Sequence, residues 1–161
     1  MNIAIVVWSE TGKTLQLAEL VRDKLGGDGH QVSLTRLQTT VPFDSKHILP
    51  EEKIEFTNLP DVSAADCVLV GGPVWAFRSC PAAKKAIREL GLQIKSKKFL
   101  PFVTHAFPFD WMAGTWSASG MGRIAKKQGA NILPGVVLSG SGKSDRTNYN
   151  RVAEKIRDQL K

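Results

Sequence analysis

The segment from Ile3 to Val21 constrains the fold of this chain more than any other. It opens with an unbroken apolar run that ends at Trp8. Such a run is typical of a strand buried on both faces of a sheet. A short turn follows, and apolar residues then recur at helical spacing from Thr14 onward. The segment therefore predicts a buried strand, a tight loop and a helix.

The predicted loop has the chemistry of an anion site. Backbone N–H groups in the first turn of a helix lack intrahelical partners, and the helix dipole favours negative charge there. The hydroxyl groups of Ser9, Thr11 and Thr14 add donors, and Gly12 lets the backbone approach a ligand closely. The first interpretation is a phosphate site.

Strands and helices alternate along the remaining chain. Four further strands are predicted, at residues 31–37, 67–70, 99–104 and 132–138. Helices are predicted to start near Pro81 and end near Gly91, to end before Gly129, and to start again near Asp145. Residues 38–60 lack a steady period and are predicted to be a long connection with one helical turn near 51–56.

Five strand–helix units predict a doubly wound α/β fold with a five-stranded parallel sheet. The second strand alternates polar and apolar residues and the fifth contains Pro134, so both belong at edges. The strand order 2-1-3-4-5 satisfies these conditions and places ligands at the carboxyl ends of strands one and three. Pro101 lies within the fourth strand and predicts that this strand starts there or bulges.

Length and composition indicate one globular domain spanning residues 1–161. No stretch has the roughly 18 consecutive apolar residues that a membrane helix needs, and no signal-peptide pattern is present. Cys67 and Cys80 match neither a disulfide framework nor a zinc spacing, so both are predicted to be reduced. A cytoplasmic location, without a bound metal, is the expectation.

The net charge of +7 favours anionic partners. Between positions 84 and 98 the sequence contains one acidic residue, Glu89, and six basic residues. The basic residues are Lys84, Lys85, Arg88, Lys95, Lys97 and Lys98. Aromatic residues do not alternate with these charges and no nucleic-acid motif is present, so nucleic acid is not indicated. The alternative is that these basic side chains form an ordinary solvated helix face without a partner.

Two other motifs are weaker. Gly12-Lys13-Thr14 matches the end of a P-loop, but Val7 stands where that motif needs its first glycine, which argues against a triphosphatase. The match to a dinucleotide-binding motif at residues 120–125 lies inside a predicted helix and follows no strand.

The segment Trp8-Ser-Glu-Thr-Gly-Lys-Thr14 resembles the flavodoxin phosphate-binding loop, aromatic-[Ser/Thr]-x-Thr-Gly-x-Thr. The resemblance extends over the whole chain and is of the short-chain type. The third strand runs into Gly71-Gly-Pro-Val-Trp75 and the fourth into Thr104-His-Ala-Phe107, where flavodoxins hold the isoalloxazine ring. This resemblance implies a flavodoxin-like fold with FMN as its cofactor.

The resemblance also assigns site residues. It implies that the FMN phosphate is held by Ser9, Glu10, Thr11, Gly12, Lys13 and Thr14. The flavin would be bordered on one side by Pro73, Val74, Trp75 and Ala76, with Trp75 stacking on it. The other side would be lined by Thr104, His105, Ala106 and Phe107. His105 would either act on a substrate or a proton at the flavin, or cap the strand end. Trp111 and Trp116 would either cover the core or form a second aromatic wall.

Two features depart from electron-carrier flavodoxins, which are typically acidic and commonly have asparagine at the position of Lys13. The leading hypothesis is an FMN-binding redox flavoprotein whose cationic surroundings raise the flavin potential. It would be an electron carrier that docks an acidic protein through residues 84–98, or an NAD(P)H-dependent FMN or quinone reductase, alone or as an oligomer that completes the site. Residues 84–98 would in the second case attract NAD(P)H. A cofactor-free binding module is the third hypothesis, so enzymatic activity stays open.

Overall fold

The structure is a computed structural model that describes residues 1–109, 111, 113–140 and 146–161. Its strands are β1 Asn2–Val7, β2 Gln31–Arg36, β3 Cys67–Trp75, β4 Arg78–Ser79, β5 Lys98–Thr104, β6 Asn131–Ile132 and β7 Val136–Leu138. Its helices are α1 Lys13–Gly27, α2 Pro81–Leu90, α3 Gly114–Lys127 and α4 Arg146–Asp158, with 3₁₀ turns at Glu51–Lys53 and Gly91–Ile94. None of the helices in the described ranges has both the length and the apolar character needed to cross a membrane.

The main strands form a parallel sheet in the order β2-β1-β3-β5-β6, and β7 pairs with β5 beyond β6. Since β5 is the fourth long strand and β6 with β7 forms the fifth, the predicted order 2-1-3-4-5 is confirmed. The register aligns Val7 with Gly71 and Gly71 with Phe102. The carboxyl ends of β1, β3 and β5 therefore meet at one edge of the sheet.

Buried side chains fill both faces of the sheet. Along β1, Ala4 and Val6 belong to one apolar cluster, whereas Ile3, Ile5 and Val7 belong to the other. Helices α2 and α3 contribute to the first cluster, and α1 and α4 contribute to the second. This two-sided burial explains why β1 is an unbroken apolar run.

Strand β3 is longer than its apolar run predicts. The predicted end at Val70 is wrong, because the strand continues to Trp75 and turns back into β4. A Cβ atom on Gly71 would lie 2.2 Å from Cζ of the Phe102 ring. Gly71 is thus required for close packing within the sheet, and it does not begin a loop.

Pro101 neither starts nor bulges β5, which passes through it, so that prediction is wrong. Phe99 accepts a backbone hydrogen bond from Leu133 at 2.8 Å, and the backbone two residues further along a strand faces the same side. On that side the edge strand is interrupted, since β6 pairs with residues 98–99 and β7 with residues 102–104. The missing N–H of Pro101 therefore costs no ladder hydrogen bond.

The connection after β2 contains the expected helical turn, Glu51–Lys53, and an additional antiparallel bridge between Thr39 and Phe56. Helix α2 begins at Pro81 and α3 ends at Lys127, as predicted. The predicted start of the last helix at Asp145 lies outside the described residues, and α4 is described from Arg146.

Candidate functional site

A cavity of about 200 Å³ lies at the carboxyl ends of β1, β3 and β5. Three loops line it, through Ser9, Glu10, Thr11, Lys13, Thr14, Pro73, Val74, Trp75, Thr104, His105 and Ala106. All eleven of these residues belong to the set that the sequence resemblance assigns. Gly12, Ala76 and Phe107 complete that set in the same loops, outside the cavity lining. The fold therefore brings the three assigned segments together.

The first loop is held in place from two directions. Gly12 has φ +89°, a left-handed conformation that glycine adopts without steric strain, and it directly precedes α1. The Oγ atom of Ser9 accepts a hydrogen bond from the N–H of Leu15 at 3.2 Å, which satisfies one donor of the first helical turn. From β2, the guanidinium group of Arg36 donates to the carbonyl oxygen of Ser9 at 2.7 Å.

The loop presents donors and positive charge to the cavity. Within the described part of the chain, the backbone N–H groups of Glu10, Thr11 and Gly12 donate to no protein acceptor. Lys13 is the first residue of α1, and the first turn of this helix contains no acidic residue. Together with the helix dipole, this arrangement favours an anion.

A buried hydrogen bond joins the first and third loops. The Oγ1 atoms of Thr14 and Thr104 lie 2.8 Å apart, and each residue is only 2% exposed. Since one hydroxyl donates to the other, α1 and the end of β5 are fixed relative to each other at the base of the cavity.

His105 lines the cavity and also continues the sheet beyond the end of β5. It is 3% exposed, and its N–H donates to the carbonyl oxygen of Leu138 at 3.1 Å, which extends the β5–β7 pairing past Thr104. A Cβ atom on Gly114 would lie 2.6 Å from Nε2 of His105, so the imidazole packs tightly against the start of α3. A role of His105 in proton transfer stays a prediction.

Trp75 borders the cavity while its ring is packed in the core. It is 8% exposed and contacts Phe43 edge-on, with ring centroids 6.0 Å apart. Trp8 stacks on the same Phe43 ring, with ring centroids 4.6 Å apart. Stacking of Trp75 on a cofactor stays a prediction.

Phe77 is an aromatic residue near the cavity that the sequence did not indicate. Ala76 and Phe77 form the turn between β3 and β4 with φ of 46° and 62°. Two-residue hairpin turns with positive φ strongly favour Asn and Gly, so an Ala-Phe pair carries no turn signal. The Phe77 ring stacks on Phe107, with centroids 5.1 Å apart and planes 13° apart.

Trp111 and Trp116 are 71% and 76% exposed. Of the two alternatives for these tryptophans, covering the core is therefore wrong. Both line a surface cavity together with Phe77, and a role as a second aromatic wall stays a prediction.

None of the residues of the basic segment 84–98 lines the cavity. Lys84 and Arg88 contact the carboxylate of Glu51 at 3.5 and 2.9 Å. Lys98 begins β5 and therefore lies at the amino edge of the sheet, opposite the cavity. Part of the charge is neutralised and part is remote from the cavity.

The cysteines and the described acidic residues form neither a reactive thiol site nor a metal-binding group. Cys67 and Cys80 are buried free thiols, and burial raises the pKa of both to about 12, which makes them unreactive near neutral pH. Among the described residues, no group of three or more His, Cys, Asp or Glu side chains could hold a metal ion.

A doubly wound parallel sheet with its candidate site at the carboxyl ends of the strands defines an α/β domain of the open-sheet class. No family model and no curated protein sequence matches the chain. Solved structures do. A flavoprotein from Lactobacillus acidophilus NCFM, described in complex with FMN, superposes with a TM-score of 0.69 at 18% identity and covers 99% of both chains.

Two further structures agree with this. The Megasphaera elsdenii flavodoxin gives a TM-score of 0.64 at 19% identity and covers 94% of this chain and 96% of its own. A WrbA-like flavodoxin from Agrobacterium tumefaciens gives 0.64 at 16% identity and covers 98% of both. The chain has the flavodoxin-like fold, as predicted.

Proposed function

We propose that this chain binds FMN and acts as a redox flavoprotein. The observation that carries the proposal is the convergence of three loops on one cavity, with free backbone donors and Lys13 at the N-terminus of α1. The flavoprotein from Lactobacillus acidophilus, which shares the fold, is described in complex with FMN. Further support comes from the chemistry of the donors.

The donor set fits a phosphate group. The Ser9 hydroxyl uses a lone pair to accept from Leu15, so its own proton is available to a ligand. When Thr104 donates the hydrogen bond that it shares with Thr14, the Thr14 hydroxyl proton is available as well. Lys13 would offset part of the charge of a dianion, and a charged donor makes a stronger hydrogen bond than a neutral one.

The flavin ring would find apolar surfaces at the mouth of this cavity. A volume of about 200 Å³ is below the roughly 300–1,000 Å³ of pockets that bury a whole ligand, so the cavity would enclose only part of FMN. Trp75 and Ala106 border the cavity, and the Phe77–Phe107 ring pair lies in the same two loops.

When bound, FMN would supply one- and two-electron chemistry. The protein would hold the phosphate, exclude water from the buried side of the site and set the local electrostatic potential. Lys13 and the α1 dipole favour the more negatively charged, reduced cofactor. We therefore propose a higher midpoint potential than that of acidic flavodoxins, which a redox titration would measure.

The test begins with the purified protein. It should show flavin absorption or quench the fluorescence of added FMN, whereas a colourless protein that quenches nothing would reject the proposal. Lys13→Gln should weaken FMN binding by about 10- to 100-fold, the value of a hydrogen bond to a charged group. The matched control is Lys127→Gln at the exposed end of α3, which should bind FMN unchanged.

An NAD(P)H-dependent reductase is the second candidate, and the basic net charge of +7 favours it, because NAD(P)H is an anion. Rapid bleaching of the bound flavin by NADPH, without another protein, would support a reductase. Slow or absent bleaching would support an electron carrier that docks an acidic protein through residues 84–98. A cytoplasmic location stays a prediction, which fractionation of cells would test.

A further inference from the structure

A groove of about 410 Å³ lies between α3 and the sheet edge that β6 and β7 form. Helix α3 lines it through Ala118, Ser119, Gly122, Arg123 and Lys126, the edge strand through residues 132–135, and β5 through Pro101. None of these residues lines the candidate cofactor cavity or belongs to the basic segment 84–98.

The floor of the groove is apolar and its shape is fixed by close packing. Ala118 is buried, and Ile132 presents 36% of its surface to solvent. A Cβ atom on Gly135 would lie 2.7 Å from the Cβ atom of Ala118, and one on Gly122 would lie 3.2 Å from Cγ2 of Ile132. Helix α3 is therefore packed tightly against the edge strand, so the groove is already formed in the folded chain.

Two cationic side chains lie at the rim. Arg123 and Lys126 are exposed and three positions apart, so they are neighbours on the surface of α3. In the ranges that the structure describes, neither forms an ion pair with a carboxylate, whereas Lys84 contacts Glu51. The sequence from 114 to 138 contains no Asp or Glu. Because like charges at this spacing destabilise a helix, an anion held between them would be favourable.

The groove is open to solvent. Six of its ten lining residues are exposed, namely Ser119, Arg123, Lys126, Ile132, Pro134 and Gly135. A small-molecule site encloses roughly 70–90% of its ligand, which so open a groove does not do. An apolar floor with a charged rim is instead typical of a surface that contacts another protein.

The edge strand is unsuited to pairing with a further strand. β6 has two residues and β7 has three, and Pro134 between them has no N–H to donate. A partner would therefore contact the side chains of the groove and would not extend the sheet.

We propose that this groove docks a segment of another protein in which acidic residues flank an apolar one. The acidic residues would pair with Arg123 and Lys126, and the apolar side chain would cover Ile132. Nucleic acid is less suitable, since none of the described lining residues is aromatic and could stack on a base. A second copy of the chain is also less suitable, because two chains of charge +7 repel each other. The proposal does not depend on FMN.

The test measures fluorescence polarisation of a labelled peptide that repeats Asp-Leu-Glu, added to the full chain with and without FMN. We expect saturable binding that weakens as salt is added. Arg123→Gln and Lys126→Gln should each weaken it about two- to fivefold, the value of an exposed ion pair. Ile132→Ala should weaken it about fivefold through lost apolar contact. The matched control Lys127→Gln removes the same charge from α3 outside the groove and should leave binding unchanged.

Circular dichroism melting would verify that each variant is folded, which is expected because the substituted side chains are exposed. Equal weakening by Lys127→Gln and Lys126→Gln would overturn the proposal, because net charge and not the groove would then attract the peptide. Absence of saturable binding would also overturn it, as would equal affinity for a peptide that repeats Asp-Ser-Glu, which has the same charge and no apolar side chain.

Two further outcomes separate this proposal from its alternatives. A dimer seen by sedimentation that Ile132→Ala abolishes, without peptide binding, would assign the groove to self-association and would overturn the proposal. Peptide binding by a protein that fails to bind FMN would support it while rejecting the proposed function.

Discussion

Replacing Thr104 by valine tests the buried link between the first and third loops. Valine keeps the shape of threonine but removes the hydroxyl, so the Thr14 hydroxyl, in a residue 2% exposed, loses its partner at 2.8 Å. Leaving a buried polar group unpaired costs about 1–3 kcal/mol. For a chain of 161 residues, we expect the melting temperature of the FMN-free protein to fall by roughly 2–12 °C.

The double-mutant cycle sharpens this prediction. Thr14→Val alone should cost a similar amount, because it leaves the Thr104 hydroxyl unpaired. The double variant should be more stable than the sum of the two losses implies, since replacing both partners by apolar groups is close to neutral. Urea unfolding of the four proteins measures a coupling free energy, expected to be on the order of 0.5–3 kcal/mol. Losses that add to within about 0.5 kcal/mol would refute the inferred hydrogen bond.

The remaining predictions concern acid stability and sheet packing. The pKa of Asp28 is lowered, chiefly by hydrogen bonding from Arg157, so this carboxylate stabilises the fold above its ordinary pKa of about 3.9 and loses that contribution as the pH falls through its folded value. Asp28→Asn should therefore flatten the loss of stability below about pH 4 in unfolding curves, and an unchanged slope would contradict this. Gly71→Ala should lower stability by about 1–3 kcal/mol, because its Cβ would overlap the Phe102 ring. The control Gly120→Ala, with open space around the new Cβ within α3, should raise stability by about 0.5–1 kcal/mol, and equal effects in thermal melts would exclude the packing explanation.

The sheet could be predicted because burial leaves a direct mark on the sequence. The unbroken apolar run of β1 indicates a strand that is buried on both faces. The alternating pattern of β2 and the proline at position 134 indicate strands at the edges of the sheet. The extension of β3 could not be predicted in this way. Gly71 and Gly72 resemble a turn, whereas their small size serves the approach of Phe102 and Cys80, which are distant in sequence.

The same division applies to the site. The loop at Ser9, Thr11 and Gly12 could be expected because helix capping and backbone donors are local properties, and its binding of an anion stays a prediction. The contact between Thr14 and Thr104 and the position of Phe77 depend on tertiary packing and on a strained turn, and neither leaves a local pattern.

A fluorescence titration that compares FMN with riboflavin tests whether residues 9–14 hold the phosphate group. The two ligands share the same ring and differ in the phosphate that residues 9–14 are proposed to hold. We predict that FMN binds more tightly than riboflavin by on the order of 100-fold, through charge-assisted hydrogen bonds at the N-terminus of α1. Equal affinity for the two ligands would contradict it, because the loop would then make no use of the phosphate.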